Sequence, residues 1–111
     1  MAESARVEAP SVKLAIKLHD KDNVATATAT LSAGEAVSVL SHEGKPVDQV
    51  VASTDVPLAY HKIALVDLAA GELVYKYGEV VGRATAEIKR GAWVHVHNVE
   101  SAHIPESAAW R

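Results

Sequence analysis

Residues 93–98 place two histidines two positions apart. The sequence there is WVHVHN, so His95 and His97 alternate with valine. In an extended strand, side chains two positions apart point to the same face, and we therefore expect two neutral imidazoles side by side. Such a pair is half of a divalent-metal site, which needs a third ligand from elsewhere in the fold. The spacing leaves open a second interpretation, a solvated sheet face lined by alternating polar residues.

A second group of polar residues could bind and activate an acid. His61 and Lys62 are adjacent, and together they offer a general base and a cation for a carboxylate. Lys76 and Tyr77 add a second cation and a phenol beside Gly78, where the backbone is permissive. The competing interpretation is structural, with the histidine packed at the start of a strand and the lysines extending to water.

The other polar clusters indicate surface structure. Asp20, Asp22 and Asn23 are typical of a turn whose side chains bond nearby backbone, because the later glycine and glutamate of a calcium loop are missing. The remaining histidines lie in polar stretches and are expected at the surface: His19, His42 and His103.

The composition indicates one small globular domain of 111 residues, with 49% apolar and 23% charged residues. The chain has no cysteine, which excludes disulfides, thiolate metal sites and cysteine nucleophiles. A net charge of −3 gives no basic surface for nucleic acid. No apolar run approaches the ~20 residues of a membrane span. We therefore expect a cytoplasmic protein that binds neither nucleic acid nor membrane.

Short stretches of alternating apolar and polar residues predict a small, mainly β domain. The Ala-Thr alternation at 24–31 favours a strand over a helix, because the repeated threonines weaken helix propensity. The predicted strands are 12–18, 24–31, 37–40, 48–53, 61–67, 73–77, 79–81 and 93–99.

An internal repeat supports this layout. Three segments share an aliphatic residue, a glycine three positions later and a valine three positions after that: Leu31, Gly34 and Val37; Leu68, Gly71 and Val74; Ile88, Gly91 and Val94. Glycine permits a positive φ, so each copy is expected to end a short helical turn and begin a strand.

The motifs occur in an order that resembles a known family. They are DNVA at 22–25, L-x-A-G-E at 31–35, VP at 56–57, HKIAL at 61–65, AAGE at 69–72, KYGE at 76–79, VGRAT at 81–85 and G-x-WVHVHN at 91–98. This set, which runs from about Leu18 to Val99, resembles the N-terminal SAF domain of the altronate dehydratase and galactarate dehydratase family of sugar-acid hydro-lyases.

The resemblance implies a fold and a reaction. The fold would be a small SAF-type β-clip domain with short helical turns over 12–100, between a flexible N-terminal arm (1–11) and a C-terminal tail (101–111). The reaction would be β-elimination of water from a 2,3-dihydroxy acid to give a 2-keto-3-deoxy acid. A base removes the proton next to the carboxylate while a divalent cation or cationic side chains stabilise the enediolate.

The resemblance also implies roles for the residues that match its motifs. His61 and Lys62 would be catalytic, and His95 and His97 would bind a divalent metal, with iron(II) as the candidate. The residues expected to bind the substrate are Lys76, Tyr77 and Asn98. One position departs from the pattern: the family usually has glycine before the His-Lys pair, and Tyr60 stands there, which is expected to reshape the adjacent pocket.

The large catalytic region that follows the SAF domain in this family is missing from the chain. The resemblance therefore implies a small subunit, inactive without a larger dehydratase-like catalytic chain, in a hetero- or homo-oligomer acting on a small sugar acid. Two alternatives remain open. One is a subunit of the sulfolactate sulfo-lyase alpha type, in which sulfite leaves from a sulfo-acid substrate. The other is a stand-alone carbohydrate-binding or assembly module without catalysis.

Overall fold

The computed structural model describes residues 12–101, and this part of the chain is built from nine strands and the turns between them. The strands are β1 (Lys13–Lys17), β2 (Val24–Ala27), β3 (Ala36–Ser41), β4 (Pro46–Val51), β5 (Lys62–Ala64), β6 (Leu73–Lys76), β7 (Glu79–Ala84), β8 (Trp93–Val94) and β9 (Val99–Glu100). Within residues 12–101 there is no helix long and apolar enough to cross a membrane. The predicted arm at 1–11, His103 and all but the first residue of the predicted tail lie outside the described residues.

The strands form two sheets. The larger sheet has six strands in the order β4-β3-β1-β2-β5-β8, and the smaller sheet has the order β6-β7-β9. β1 and β3 pair in parallel, whereas every other strand pair is antiparallel. The prediction of a mainly β domain is confirmed.

Two apolar cores lie on opposite faces of the central strands β2 and β5. Successive strand residues point to opposite faces, so Ala25 and Ile63 enter one core while Val24 and Ala64 enter the other. The first core contains Ala15, Ala25, Ala27, Leu31, Val37, Val39, Val50, Ala52, Val56, Ile63 and Leu65. The second core, which contacts the smaller sheet, contains Val24, Ala64, Leu68, Val74, Ala84, Ile88, Ala92 and Val94.

The three-fold repeat of the sequence is also a repeat of backbone hydrogen bonds. Gly34, Gly71 and Gly91 all have positive φ, at 95°, 94° and 88°. Each glycine N–H donates to the carbonyl of an alanine (Ala52, Ala84 and Ala64, in that order), and that alanine N–H donates back to the residue after the glycine. The predicted glycine conformation is confirmed, although the segments are tight turns and not helical ones.

The third copy packs most tightly against the rest of the fold. A Cβ on Gly91 would lie 2.1 Å from the Val51 carbonyl oxygen, so only glycine fits. The Arg90 guanidinium donates to both carboxylate oxygens of Asp48 and to the carbonyl oxygens of Leu65 and Gln49. These contacts fix the segment that leads into β8.

Most predicted strands are present, with different bounds. The strand predicted at 79–81 continues to Ala84 as β7. The strand predicted at 24–31 ends at Ala27, and the strand predicted at 61–67 is limited to Lys62–Ala64. The strand predicted at 93–99 is wrong: β8 ends at Val94, residues 95–98 form a turn, and β9 joins the other sheet. This last difference changes the geometry of the histidine pair.

Candidate functional site

Strand β5 separates the two residues predicted to be catalytic. Lys62 lies on the same face as Ala64 and therefore on the side of the second core, whereas His61 lies on the side of Ile63 and the first core. The neighbouring strand β8 repeats this division, because Trp93 packs on the first core and Val94 belongs to the second. The adjacent His61 and Lys62 thus serve two different surfaces.

Around His61 the rings form a group that we call the imidazole cluster: His61, Trp93, His95 and His97. The Trp93 ring contacts all three imidazoles, with centroid distances of 5.8 Å to His61, 5.3 Å to His95 and 4.9 Å to His97. The His95 ring is stacked on Trp93 with 9° between the planes, and it also contacts His61 at 4.6 Å. The structure therefore brings the three predicted histidines together around one tryptophan, a residue that the sequence analysis gave no role.

A hydrogen bond sets the tautomer of His61. The Trp93 indole N–H donates to His61 Nδ1 at 3.1 Å. An indole N–H can only donate, so Nδ1 carries the lone pair and Nε2 carries the proton of the neutral imidazole. In this geometry His61 presents a hydrogen-bond donor at Nε2.

Asn98 stabilises the turn that carries the other two histidines. The His95 N–H donates to Asn98 Oδ1 at 2.9 Å, and Asn98 Nδ2 donates to the Trp93 carbonyl oxygen at 2.8 Å. Both ends of the amide are therefore already bonded within the turn. The structure gives Asn98 a role in shaping the site, whereas its predicted contact with substrate stays a prediction.

The described residues by themselves do not form a metal site. The prediction that His95 and His97 share one strand face is wrong, because both residues lie in the turn after β8. Within residues 12–101 no three histidine, aspartate or glutamate side chains are grouped so as to hold an ion. A divalent cation such as iron(II) needs at least three well-placed ligands, so a site at His95 and His97 would need a further ligand from elsewhere, and the metal stays a prediction.

On the other face lies a groove of about 290 Å³, which we call the lysine groove. Its residues come from β5, the smaller sheet and the turn after β8: Lys62, Val74, Val81, Val94, His95, Val96, Val99, Glu100 and Ser101. Its walls are largely valine, and Lys62 and His95 supply the nitrogen atoms. His95 thus belongs to both surfaces, since its ring also contacts His61 and Trp93.

Lys76 lies beside this groove, because it shares a face of β6 with Val74, which lines it. Burial lowers the pKa of Lys62, and the positive charge of Lys76 lowers it further. Neither lysine forms an ion pair among residues 12–101, although the Glu100 carboxylate also lines the groove. A small anion bound at Lys62 would offset both the burial of that charge and its repulsion by Lys76.

Lys76 is placed by the hairpin between β6 and β7. Tyr77 and Gly78 form a two-residue loop and have φ values of 61° and 77°. Positive φ at both central residues is the requirement of a type I′ turn, the common turn of two-residue hairpins. The Lys76 ammonium lies 5.7 Å from the centroid of the Tyr77 ring, which is a cation–π distance.

The same hairpin receives the side chains of the predicted aspartate-rich turn. The turn itself is confirmed, but its side chains do not bond nearby backbone. Asp22 is only 4% exposed and accepts the N–H groups of Tyr77 and Gly78, at 3.0 and 2.8 Å. Asn23 donates to the Leu73 carbonyl oxygen at 2.9 Å and accepts the Tyr75 N–H at 2.8 Å. Sequence spacing could not reveal these partners, which lie 50 to 56 positions away.

Tyr60 has a backbone conformation that favours glycine. Its φ is 65°, and its N–H donates to the Ala27 carbonyl oxygen. This conformation gives a physical reason for the glycine expected at this position. The side chain is 72% exposed and lines none of the grooves described here, so its effect on a pocket stays a prediction.

The described residues line two further grooves of about 320 Å³ each, one beside the imidazole cluster and one at a distance from it. One runs along the far side of Trp93, between Thr54, Asp55, Glu87, Lys89, His97 and Asn98. The other is separate from both the lysine groove and the imidazole cluster, and its polar residues are Lys17, His19, Asp20, Ser41, His42 and Glu43. His19 and His42 are exposed, as the sequence predicts.

Fold and sequence define a class of domain. Residues 13–102 match the model of the altronate/galactarate dehydratase SAF domain, and the chain belongs to this family. The histidine-lysine pair, the KYG hairpin and the HVHN turn all lie within the matched residues, so the resemblance noted from the sequence is confirmed.

The similar proteins include a dehydratase and sulfo-lyase subunits. An altronate dehydratase of Escherichia coli is 43% identical over 86 residues, which is 78% of this chain and 16% of that protein. A (2R)-sulfolactate sulfo-lyase subunit alpha of Chromohalobacter salexigens is 49% identical over 41 residues, 37% of this chain and 44% of the relative. The subunit alpha of Paracoccus pantotrophus is 38% identical over 53 residues, 48% of this chain and 78% of the relative.

The lengths of these relatives differ greatly from one another. This chain spans about a sixth of the altronate dehydratases that it matches. The sulfo-lyase relatives are named as subunits, and the chain spans a larger share of each.

Proposed function

We propose that this chain is the small subunit of a lyase that removes a group from the β-carbon of a small hydroxy acid. Its larger partner would be a dehydratase-like chain that supplies the remainder of the active site. The observation that carries the proposal is the half-buried Lys62 in a groove shared with His95, with the charge of Lys76 beside it and no ion pair to either lysine among the described residues.

The lysine pair would bind the substrate carboxylate. One carboxylate placed between the two ammonium groups offsets their repulsion and restores the solvation that Lys62 loses through burial. The same charges would stabilise the enediolate, in which the carboxylate carries a second negative charge after the α-proton has left. Cationic side chains can supply this stabilisation with or without a metal ion.

The imidazole cluster would bind oxygen atoms of the same substrate. His61, with its proton on Nε2, donates a hydrogen bond to a hydroxyl oxygen, and Trp93 keeps the ring in that tautomer. His95 lies between His61 and the lysine groove, so it can contact the substrate next to the carboxylate. We assign the base that removes the α-proton to the larger chain.

The reaction is a β-elimination. The base takes the proton from the α-carbon, the electron pair forms the carbon–carbon double bond, and the hydroxyl on the β-carbon leaves with a proton as water. The resulting enol tautomerises to a 2-keto-3-deoxy acid. The relatives named altronate dehydratase favour this version.

A sulfo-acid substrate is the second candidate. The relatives named sulfo-lyase subunit alpha favour it, since their name also describes a chain that is one part of an assembly. The α-proton is removed in the same way, but the β-carbon–sulfur bond breaks and sulfite leaves with its electron pair. Carboxylate binding by the two lysines is common to both versions.

Co-expression of this chain with a large dehydratase-like chain from the same genome tests the proposal. The pair should form a complex that converts altronate to a 2-keto-3-deoxy acid or releases sulfite from (2R)-sulfolactate. Lys62→Met and Lys76→Met should each lower kcat/KM by at least about tenfold, because each removes a charge-assisted contact. Lys45→Met, in the exposed turn between β3 and β4, is the control and should leave turnover unchanged.

Several results would contradict the proposal. Full activity of both lysine variants would remove the lysine groove from the mechanism. A complex that acts on neither substrate would refute the lyase assignment. Altronate binding without turnover would instead indicate the stand-alone binding module.

A further inference from the structure

We propose that Asp22 and Asn23 are positioning residues of the lysine groove, which hold the β6–β7 hairpin against the central sheet so that Lys76 lies beside Lys62. The inference rests on the proposed function, because it concerns the cation that would bind the substrate carboxylate. It adds two residues that the sequence analysis assigned only to a surface turn.

The hairpin loop sets the pairing of its own two strands, but it does not set where the hairpin lies against the rest of the fold. Val74 and Lys76 are two positions apart in β6 and share a face, and Val74 lines the lysine groove. A shift of β6 by one residue along the segment before β2 would move Lys76 to the opposite face of the sheet, away from Lys62.

Asn23 bonds β6 at two points. Its amide donates to the carbonyl oxygen of Leu73 and accepts the N–H of Tyr75, the residues on either side of Val74. One amide therefore fixes the position of β6 along the segment that precedes β2. If β6 were shifted by one residue, both backbone groups would lose these partners.

Asp22 fixes the end of the hairpin. Its two carboxylate oxygens accept the N–H groups of Tyr77 and Gly78, one bond to each oxygen. Tyr77 has a φ of 61°, a conformation that is costly for a residue with a side chain, and the two bonds offset that cost. Because Lys76 directly precedes this loop, the direction of its side chain depends on where Asp22 holds the two N–H groups.

The two positioning residues are themselves placed by the central sheet. Asp22 and Asn23 immediately precede β2, and β2 pairs with β5, the strand that begins at Lys62. The Asn23 carbonyl oxygen also accepts the N–H of Leu65, just beyond β5. The same short segment is thus bonded both to the strand of Lys62 and to the hairpin of Lys76, and it joins the two cations of the groove.

A double-mutant cycle on altronate binding tests the inference. Dissociation constants would be measured by NMR titration for the wild type, Asp22→Asn, Lys76→Met and the double variant. Asp22→Asn keeps the shape but replaces one acceptor with a donor, so binding should weaken at least about fivefold. The double variant should bind no more than about twofold more weakly than Lys76→Met alone, because Asp22 acts through Lys76.

The controls separate positioning from a loss of charge or of folding. Asp20→Asn makes the same charge change at an exposed residue of the same turn, and its affinity should stay within about twofold of the wild type. If Asp22→Asn does not fold, Asn23→Ser takes its place in the experiment. This substitution shortens the other positioning side chain and should weaken altronate binding by the same factor. In both positioning variants, the NOEs between residues 22–23 and the backbone of residues 75–78 should weaken while those between β1 and β3 persist.

Each result has a distinct meaning. Wild-type affinity in Asp22→Asn, or a loss that multiplies with that of Lys76→Met, would overturn the inference and leave the proposed function standing. Unchanged affinity in Lys76→Met would refute the role of the lysine groove itself, and the inference with it. Unchanged NOEs together with weakened binding would also overturn it, because the position of the hairpin would then not be the cause.

Discussion

The lysine groove and the imidazole cluster are neighbouring surfaces on either face of β5, and they are stabilised in opposite ways. In the lysine groove, Lys76 depends on Asp22 and Asn23, which bond backbone at least 50 positions further along the chain. In the imidazole cluster, the turn that carries the histidines is closed by Asn98, which bonds residues 3 and 5 positions away. One surface is organised at long range and the other locally.

This difference separates two kinds of functional residue. A locally organised turn can open and close without unfolding its surroundings, so the imidazole cluster can adapt to a ligand or to a partner chain. The lysine groove is fixed by contacts that also join the two sheets. We therefore expect substitutions at the lysine groove to change global stability, and substitutions at the histidine turn to act locally.

The largest expected effect concerns the segment that leads into the imidazole cluster. Gly91→Ala should lower the free energy of unfolding by about 4 kcal/mol, because it adds a backbone clash to an unfavourable positive φ. Gly71→Ala is the matched control, with the same repeat position and a φ of 94° but open space around the added methyl group. It should cost only about 1 kcal/mol. Equal losses in chemical denaturation would show that the close approach to Val51 is unimportant.

The two asparagines allow a direct test of long-range against local organisation. Asn23→Ala removes two side-chain hydrogen bonds between the sheets and should cost about 2 kcal/mol of unfolding free energy. Asn98→Ala also removes two hydrogen bonds but should cost about 1 kcal/mol, because the opened turn reaches water. Hydrogen exchange should accelerate across both sheets in the first variant and only near the turn in the second. The reverse pattern would contradict the comparison.

The features of the fold and site that could be predicted from the sequence are those that depend on residues close together in the chain. Strand alternation and the Leu-x-x-Gly-x-x-Val repeat predicted the mainly β fold and the three glycine turns, because both patterns depend on backbone conformation within a few residues. The strand predicted through His95 and His97 is wrong, because the Asn98 side chain closes a turn there. The alternation of valine with polar residues contains no information about such a side-chain hydrogen bond. The partners of Asp22 could not be predicted, because nothing at residues 20–23 reports which backbone lies 55 positions away.

A smaller effect is expected at the position where the family favours glycine. Tyr60→Gly should raise the free energy of unfolding by about 1 kcal/mol, because relief of the left-handed conformation exceeds the entropy that glycine adds to the unfolded chain. Ala59→Gly, at the preceding residue without positive φ, should instead lower it by about 1 kcal/mol. Thermal unfolding of the two variants would measure both changes, and destabilisation by Tyr60→Gly would contradict the assignment of strain.

The smallest effect concerns the charge of Lys62. Its pKa is lowered first by burial and then by Lys76, so Lys76→Met should raise the pKa of Lys62 towards its ordinary value without restoring it fully. Titration of the lysine side-chain carbon signals by NMR would follow this change. Lys45→Met should leave the pKa of Lys62 unchanged, since Lys45 is exposed in another turn and does not act on Lys62. A fall in the pKa of Lys62 after Lys76→Met would mean that the two cations do not face each other.

The most direct test of carboxylate binding in the lysine groove compares two ligands that differ only in charge. The isotope-labelled chain would be titrated with altronate and with the corresponding uncharged alditol, and its signals followed by NMR. We expect altronate to shift the signals of Lys62, Lys76 and His95 saturably, and the alditol to shift none of them. An equal response to both ligands, or an altronate response centred on the distant groove at His42, would contradict the account.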